Sequence, residues 1–405
     1  MTLSVRRLGA APHRLLFFVG ATNVLLAMAW WTAWLISAQA SASWMPQPRI
    51  SAGWLHAFVM QYQMLPSFMF GFLLTVFPRW MGLAELPPRR YLPVGGGLFG
   101  GQIVMLMGAV GLDRALVAGW AMTVFGWGAG LFALAPHLWR ERGTTWHAWS
   151  SFGALLAGFS GLGMFGAFLF GAGAWWLFAS IKVGTFALLL PVYLTVAHRM
   201  FPFFAGGVVA GYVPWRPFWL LAVFWGGCLL HLALELDHAY VWLWAVDAPM
   251  AVLTAYLCWR WWPRLVNEPR RPPLLMVLFF GLAWLPVTFA LYAVQSAWYV
   301  FSGAFELGRA PAHALFIGFF GSVLVAMVTR VTQGHAGRPL LLPPIAVFAF
   351  AAIQVVAIVR IAAEFEPDPM VWYVFAGIGW LLALGPWAIW LGRTYLAPRA
   401  DGRPG

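Results

Sequence analysis

Several groups of side chains in this sequence have types and spacings that can do chemistry. His56, Met60 and Met64 recur every four residues, which places an imidazole and two thioethers on one stripe of a helix. Such nitrogen and sulfur donors suit haem iron or copper, although a methionine stripe serves equally well as packing. His313 opens another apolar run. Lys182, the only lysine in the chain, and Asp247 each lie inside an apolar run. At a rise of ~1.5 Å per residue the two share a depth to within a few ångströms. They read either as a buried ion pair or, for Lys182, as a cation facing a cavity that holds an anionic group such as a haem propionate. His231, Glu235 and His238 have i, i+4, i+7 spacing, which allows a second metal site or a solvated helix end. His137, His147, His198 and His335 fall at the opposite ends of the runs, and His13 is near the terminus.

The elements that must position these groups are membrane helices. Of the 405 residues, 62% are hydrophobic and 9% are charged, whereas a soluble domain carries about 25% charged residues. Runs of roughly 20 apolar residues, the length of a bilayer crossing, recur along the whole chain. We expect twelve crossings near 15–37, 54–77, 92–111, 115–135, 148–170, 174–196, 217–235, 240–260, 273–293, 312–331, 343–361 and 370–391, in one membrane domain over 1–405. The run Leu15 to Ser37 is long enough to span and is expected to be a helix rather than a cleaved signal. Pro66 and Pro191 interrupt two of the runs. Gly158, Gly161, Gly163 and Gly166 are expected to admit a close neighbour. The net charge of +12 comes from arginines scattered singly over short loops, which excludes a nucleic-acid partner. Cys228 and Cys258 lie at different depths and read as unpaired core residues. No phosphate-binding glycine loop, H-E-x-x-H, C-x-x-C-H or G-x-S-x-G motif is present.

With both termini inside, 19 arginines fall in inner segments and four (Arg49, Arg114, Arg309, Arg360) in outer ones. The outer loops instead collect Glu235, Asp237, Glu306, Glu364, Glu366 and Asp368. That asymmetry orients the chain. Helices 2, 6 and 10 end alike, in Thr75–Arg79, Thr195–Arg199 and Ala326–Arg330. Counting back equally from the terminal arginines aligns Tyr62, Lys182 and His313. The fold class is therefore all-α, a polytopic bundle of about twelve helices. Three arcs of four, as in the haem-copper oxidase core subunit, are one plan for it.

Longer stretches resemble a known family. His313-Ala314-Leu315 followed by Ala326-Met327-Val328-Thr329-Arg330-Val331-Thr332-Gln333-Gly334-His335-Ala336-Gly337-Arg338-Pro339 is similar to H-A-L and A-M-M-T-R-V-x-L-G-H-T-G-R-P of the NnrS family. Those are bacterial haem- and copper-containing membrane proteins linked to nitric oxide and nitrosative stress. Gly71–Pro78 resembles the family's G-F-L-L-T-A-V-P, and Arg199–Phe204 resembles G-R-x-I-P-F-F-T. The sequence departs from the family's H-A-H-E-M at Phe58 and Val59, and from H-L-G-Y-A-W at Phe279. Two imidazoles and a carboxylate are thus replaced by apolar groups.

The resemblance implies a multi-pass protein of the bacterial inner membrane that binds haem, of b type, and acts in nitric oxide detoxification or nitrosative stress resistance. His56 and His313 are the expected iron ligands, with Met60 beside them and His335 a further metal candidate. Lys182 and Arg330 are candidates to neutralise propionates. Copper is a second expected cofactor, with fewer family ligands retained. The expected partners are the lipid bilayer, nitric oxide or another small ligand, and a respiratory electron donor; redox turnover at nitric oxide stays open. A metal-free transporter on the same scaffold and an accessory subunit of a respiratory complex are the alternatives. Reporter fusions after Arg399 and after Pro367 should report inside and outside respectively. The reverse pattern would overturn the orientation.

Overall fold

The computed structural model describes residues 3–42, 44–141, 143, 145–263 and 272–402. Arg142, Arg264, Arg270, Arg271 and Arg403 of the arginine asymmetry lie outside them. Among the described residues there is no strand, and twelve helices are long and apolar enough to cross a membrane. They are α1 (Pro12–Gln39), α2 (Ala52–Trp80), α3 (Pro88–Ala109), α4 (Arg114–Glu141), α5 (Trp146–Leu169), α6 (Ala174–Gly206), α7 (Phe218–Leu236), α8 (Tyr240–Trp261), α9 (Pro273–Ser302), α10 (Ala310–His335), α11 (Pro344–Phe365) and α12 (Pro369–Leu396). Each coincides with an expected crossing. α6 and α9 run well past the apolar stretches that end near 196 and 293. A hydropathy window stops where polar residues begin, whereas the helix continues because it still satisfies every backbone N–H and C=O internally.

The chain gathers into two compact units. One comprises Met1–Val192, Gly334–Arg338 and Leu384–Gly405; the other comprises Tyr193–Gln333 and Pro339–Ala383. In the first unit α3 and α4 meet backbone to backbone at Gly97 and Gly126, where a Cβ on either would strike the opposite main chain. The expected glycine row on α5 works differently. Gly158, Gly161 and Gly166 receive the side chains of Trp127, Tyr62 and Trp120, while Gly163 faces open space. Arg14 donates to the carbonyls of Tyr395 and Ala397, and Arg7 to that of Leu396. These guanidiniums satisfy the last carbonyls of α12, which have no helical partner. In the second unit Arg360, one of the four arginines on the acidic side, pairs with Glu364 and lies 3.9 Å over the Tyr373 ring. Its charge is neutralised where it sits.

α2, α6 and α10 are the most enclosed helices, with 83%, 78% and 83% of their apolar windows buried against 61% or less elsewhere. Each contains a π-helical stretch: Met60–Met64, Gly184–Leu189 and Ala314–Gly321. The three aligned positions Tyr62, Lys182 and His313 fall within or just before these stretches. Two of the stretches trace to proline. Pro66 and Pro191 each follow a π stretch by two residues and supply no N–H to the carbonyl four residues back, Tyr62 or Ala187. The wider turn lets Leu65 N–H reach the Met60 carbonyl and Leu190 N–H reach that of Thr185. The Tyr62 carbonyl takes the indole N–H of Trp127 instead, at 2.8 Å. The two prolines thus mark widened turns rather than broken helices.

Trp127→Phe keeps the aromatic volume and removes that donor. Leaving the buried Tyr62 carbonyl unsatisfied should cost roughly 1–3 kcal/mol, read as a lower thermal midpoint in detergent. Trp139→Phe, at a site 76% exposed, should leave the midpoint unchanged.

Candidate functional site

In the first unit the polar atoms collect around the π stretch of α2. Tyr62 donates to the Ser180 carbonyl at 2.6 Å, and Ser180 Oγ donates to the Gly161 carbonyl. The tyrosine hydroxyl fits because Gly161 and Gly184 carry no Cβ. Gln61 donates to Thr185 Oγ1 and Gln63 to Thr123 Oγ1, while Asn23 donates to Ser67 and Gln102 to the Asn23 carbonyl. The side-chain oxygens of Asn23, Gln61, Gln63 and Gln102 are buried with no hydrogen-bond partner among the described residues. Neutral amides carry no charge, so the ionisable groups of the sequence do not point to this acceptor-rich interior. The signal was available: two glutamines flank Tyr62 in an otherwise apolar run.

His56 lies one turn before this network. Its ring stacks on Trp31 at 4.4 Å and 8°, and Trp31 stacks on Trp34. The imidazole plane is thereby held. Met60 is buried at the start of the π stretch. Lys182 reaches over the face of Phe178, 5.3 Å from the ring centre, a cation–π placement for an ammonium. At the far end of the unit, His335 packs against His13 with ring centres 4.0 Å apart. His13 is buried, and its Nδ1 has no hydrogen-bond partner among the described residues. The two histidines come from α1 and α10, so nothing in their local sequence could pair them.

In the second unit His313 stands at the entry to the π stretch of α10. Its Nδ1 lies 2.9 Å from the Arg309 carbonyl. A carbonyl only accepts, so Nδ1 carries the proton, and in the neutral ring the lone pair then belongs to Nε2. Within the π stretch Gly318 receives the Trp284 ring of α9. Trp284 donates to Gln354 Oε1 at 2.6 Å, and Gln354 donates to Ser322 at 2.7 Å. α9, α10 and α11 are thus tied at one point. Arg330, near the other end of α10, lies 4.0 Å over the Phe204 ring.

The sequence offers Lys182 as one possible partner of Asp247; within the second unit the carboxylate meets a histidine. His231 Nδ1 lies 2.8 Å from Asp247 Oδ1, and His231 Nε2 lies 3.5 Å from Glu235 Oε1. His238, the third member of the proposed i, i+4, i+7 set, has left the helix and meets the Tyr240 hydroxyl at 2.7 Å. α7 ends at Leu236, so the spacing no longer applies at 238. Among the described residues no group of three His, Cys, Asp or Glu side chains is placed to hold a metal ion.

A family model, described as NnrS protein, matches residues 7–399. The chain belongs to the NnrS family. No curated protein matches it. In this NnrS chain the motif positions divide by physical role. Of Phe279–Trp284, Gly281 meets Ser322 and Val323 of α10, and Trp284 fills the space over Gly318; these two letters of the pattern are packing. At two of the three positions where the family pattern has polar residues, Phe58 and Phe279, this chain has rings. Phe58 stacks on Phe165 at 3.7 Å. Phe279 meets Phe201 at 5.9 Å and Trp262 at 6.1 Å.

Gly318→Ala would drive a methyl group into the Trp284 ring. Overpacking of this kind should cost about 1–3 kcal/mol and loosen the Trp284–Gln354 bond, which indole fluorescence and the thermal midpoint report. Gly163→Ala, into open space, should be neutral.

Proposed function

We propose that this protein is a haem-binding protein of the bacterial inner membrane that acts in the response to nitric oxide, with His313 as the leading candidate iron ligand in the second unit and His56 as the candidate in the first. Family membership supports the class of function. The observation that carries the ligand assignment is the bond from His313 Nδ1 to the Arg309 carbonyl. An imidazole that ligates a metal commonly donates its other ring N–H to a backbone carbonyl, which orients the ring and raises the basicity of the ligating nitrogen. His313 has that arrangement before any cofactor is considered. His56 fits through its fixed plane on Trp31.

Bound haem would supply an iron centre at which nitric oxide coordinates. The chain's own part is to hold the imidazole, exclude water with the buried π stretch of α10, and compensate anionic groups. In the first unit, which holds His56, Lys182 is the candidate for compensation. Arg330 lies 17 positions after His313 in α10, about 25 Å along a helix, which is beyond the reach of a macrocycle's side chains. Its place over Phe204 suits the opposite edge of the membrane. For copper, His13 and His335 bring two imidazoles together, but no third His, Cys, Asp or Glu donor completes a metal-holding group among the described residues. The set does not fit a closed copper centre, and copper is left outside the proposal.

The test is the optical spectrum and pyridine haemochrome of the purified protein, then of His313→Ala and His56→Ala at matched protein amounts. We expect a Soret band in the parent and a severalfold loss of haem in His313→Ala. Unchanged haem in both variants would overturn the ligand assignment, and a parent without haem would favour the transporter.

A further inference from the structure

Three ionisable side chains in the second unit are buried together, apart from the histidines considered as iron ligands. His231 and Asp247 have no exposed side-chain surface, and Glu235 is 6% exposed. They come from two adjacent helices, α7 and α8, and the ring of Tyr292 on α9 closes the third side, edge-on to His231 at 4.9 Å. Cys228 lies one turn before His231 on α7, and Tyr240 opens α8. Ionisable groups inside a bilayer are costly, and most mark proton or ion pathways.

The geometry decides which ion. His231 faces a carboxylate oxygen at each ring nitrogen, tightly at Asp247 (2.8 Å) and loosely at Glu235 (3.5 Å). A neutral imidazole has one N–H and satisfies one of them at a time, whereas an imidazolium donates to both. The number and position of protons therefore determine which contacts close. Asp247 Oδ2 adds a second clue: it is buried and has no hydrogen-bond partner among the described residues, an acceptor that a proton on the carboxyl group would convert into a donor. Glu235 stands next to the end of α7, with exposed Asp237 and His238 just beyond it. The acids thus form a file from water to Asp247.

We propose that Glu235, His231 and Asp247 form a proton-binding relay that loads Asp247 from the water at the α7–α8 loop. A proton on the Glu235 carboxyl passes to His231 Nε2. The resulting imidazolium then gives its Nδ1 proton to Asp247 Oδ1, and the imidazole returns to its neutral form. No bond other than O–H and N–H changes, and no oxidant or reductant is needed. The relay is independent of the haem reading and holds whether or not the protein carries a cofactor.

Infrared difference spectroscopy of the full chain in lipid vesicles, stepped in bulk pH, tests this. The parent should show a protonated-carboxyl C=O band that grows on acidification and shifts in D2O. Carbon-13 labelling of the aspartate carboxyl should move it, a check that needs no variant. Asp247→Asn should abolish the band. Glu235→Gln should keep it but slow its rise after a pH jump severalfold, whereas a merely structural glutamate would leave the rate alone. The relay is overturned if no carboxyl band titrates in the parent, if labelled aspartate does not move it, or if the Glu235→Gln rate equals that of the parent.

Discussion

Within the hydrocarbon of a membrane a backbone carbonyl has no water to turn to, and leaving one unpaired is costly. The structure is organised around that constraint at Tyr62. Pro66 withholds the N–H that would have bonded its carbonyl, and the helix widens into a π turn. Trp127 then crosses from α4 to supply the missing donor. Much of the first unit follows from this repair. Trp127 must reach inward, so Gly158 has no side chain. Tyr62 is turned towards Ser180, so Gly161 and Gly184 have none either. Glycines that read in the sequence as general lubricant between helices are holes cut for particular rings.

The same device appears at four-helix intervals, in α2, α6 and α10, and those three helices are also the most enclosed. π turns are rare and collect at functional sites, because a widened turn redirects the side chains on either side of it. Here it redirects Tyr62, Lys182 and His313 or their immediate neighbours. The third case has no proline behind it. In α10 the widened turn contains Gly318 and Gly321, and the Trp284 ring presses on the first of these. Two different local causes produce one feature, which argues that the feature matters more than the residue that makes it.

How much of this was legible in the sequence depends on the range of the interaction. The twelve crossings were legible because apolar run length is a one-dimensional property and the bilayer permits only helices. Arg79, Arg199 and Arg330 marked equivalent helix ends for the same reason. The spacing of His231 and Glu235 on one helix is legible, but the bond from His231 to Asp247 is not, because depth cannot show which face of a helix a residue occupies. The His13–His335 contact was out of reach altogether, since it joins the first turn of α1 to the last turn of α10. Phe58 and Phe279 show the converse. The sequence revealed that polar family residues were gone, and only the structure shows that Phe165, Phe201 and Trp262 have closed over their places.

Within the second unit the chemistry is gathered towards one edge of the membrane. Glu235 lies at the end of α7, Asp247 in the second turn of α8 and His313 in the first turn of α10. Successive crossings alternate in direction, so all three belong to the same face, the one whose loops carry Asp237, Glu306, Glu364 and Asp368. The cost of a polar group in lipid falls towards the interface, and water-borne protons or small ligands enter there first. The opposite ends of α6, α8 and α10 carry Arg199, Arg260 and Arg330, two of them stacked on aromatic faces. That end is built to anchor. In α10 the apolar middle, with its π turn, joins the reactive edge to the anchored one.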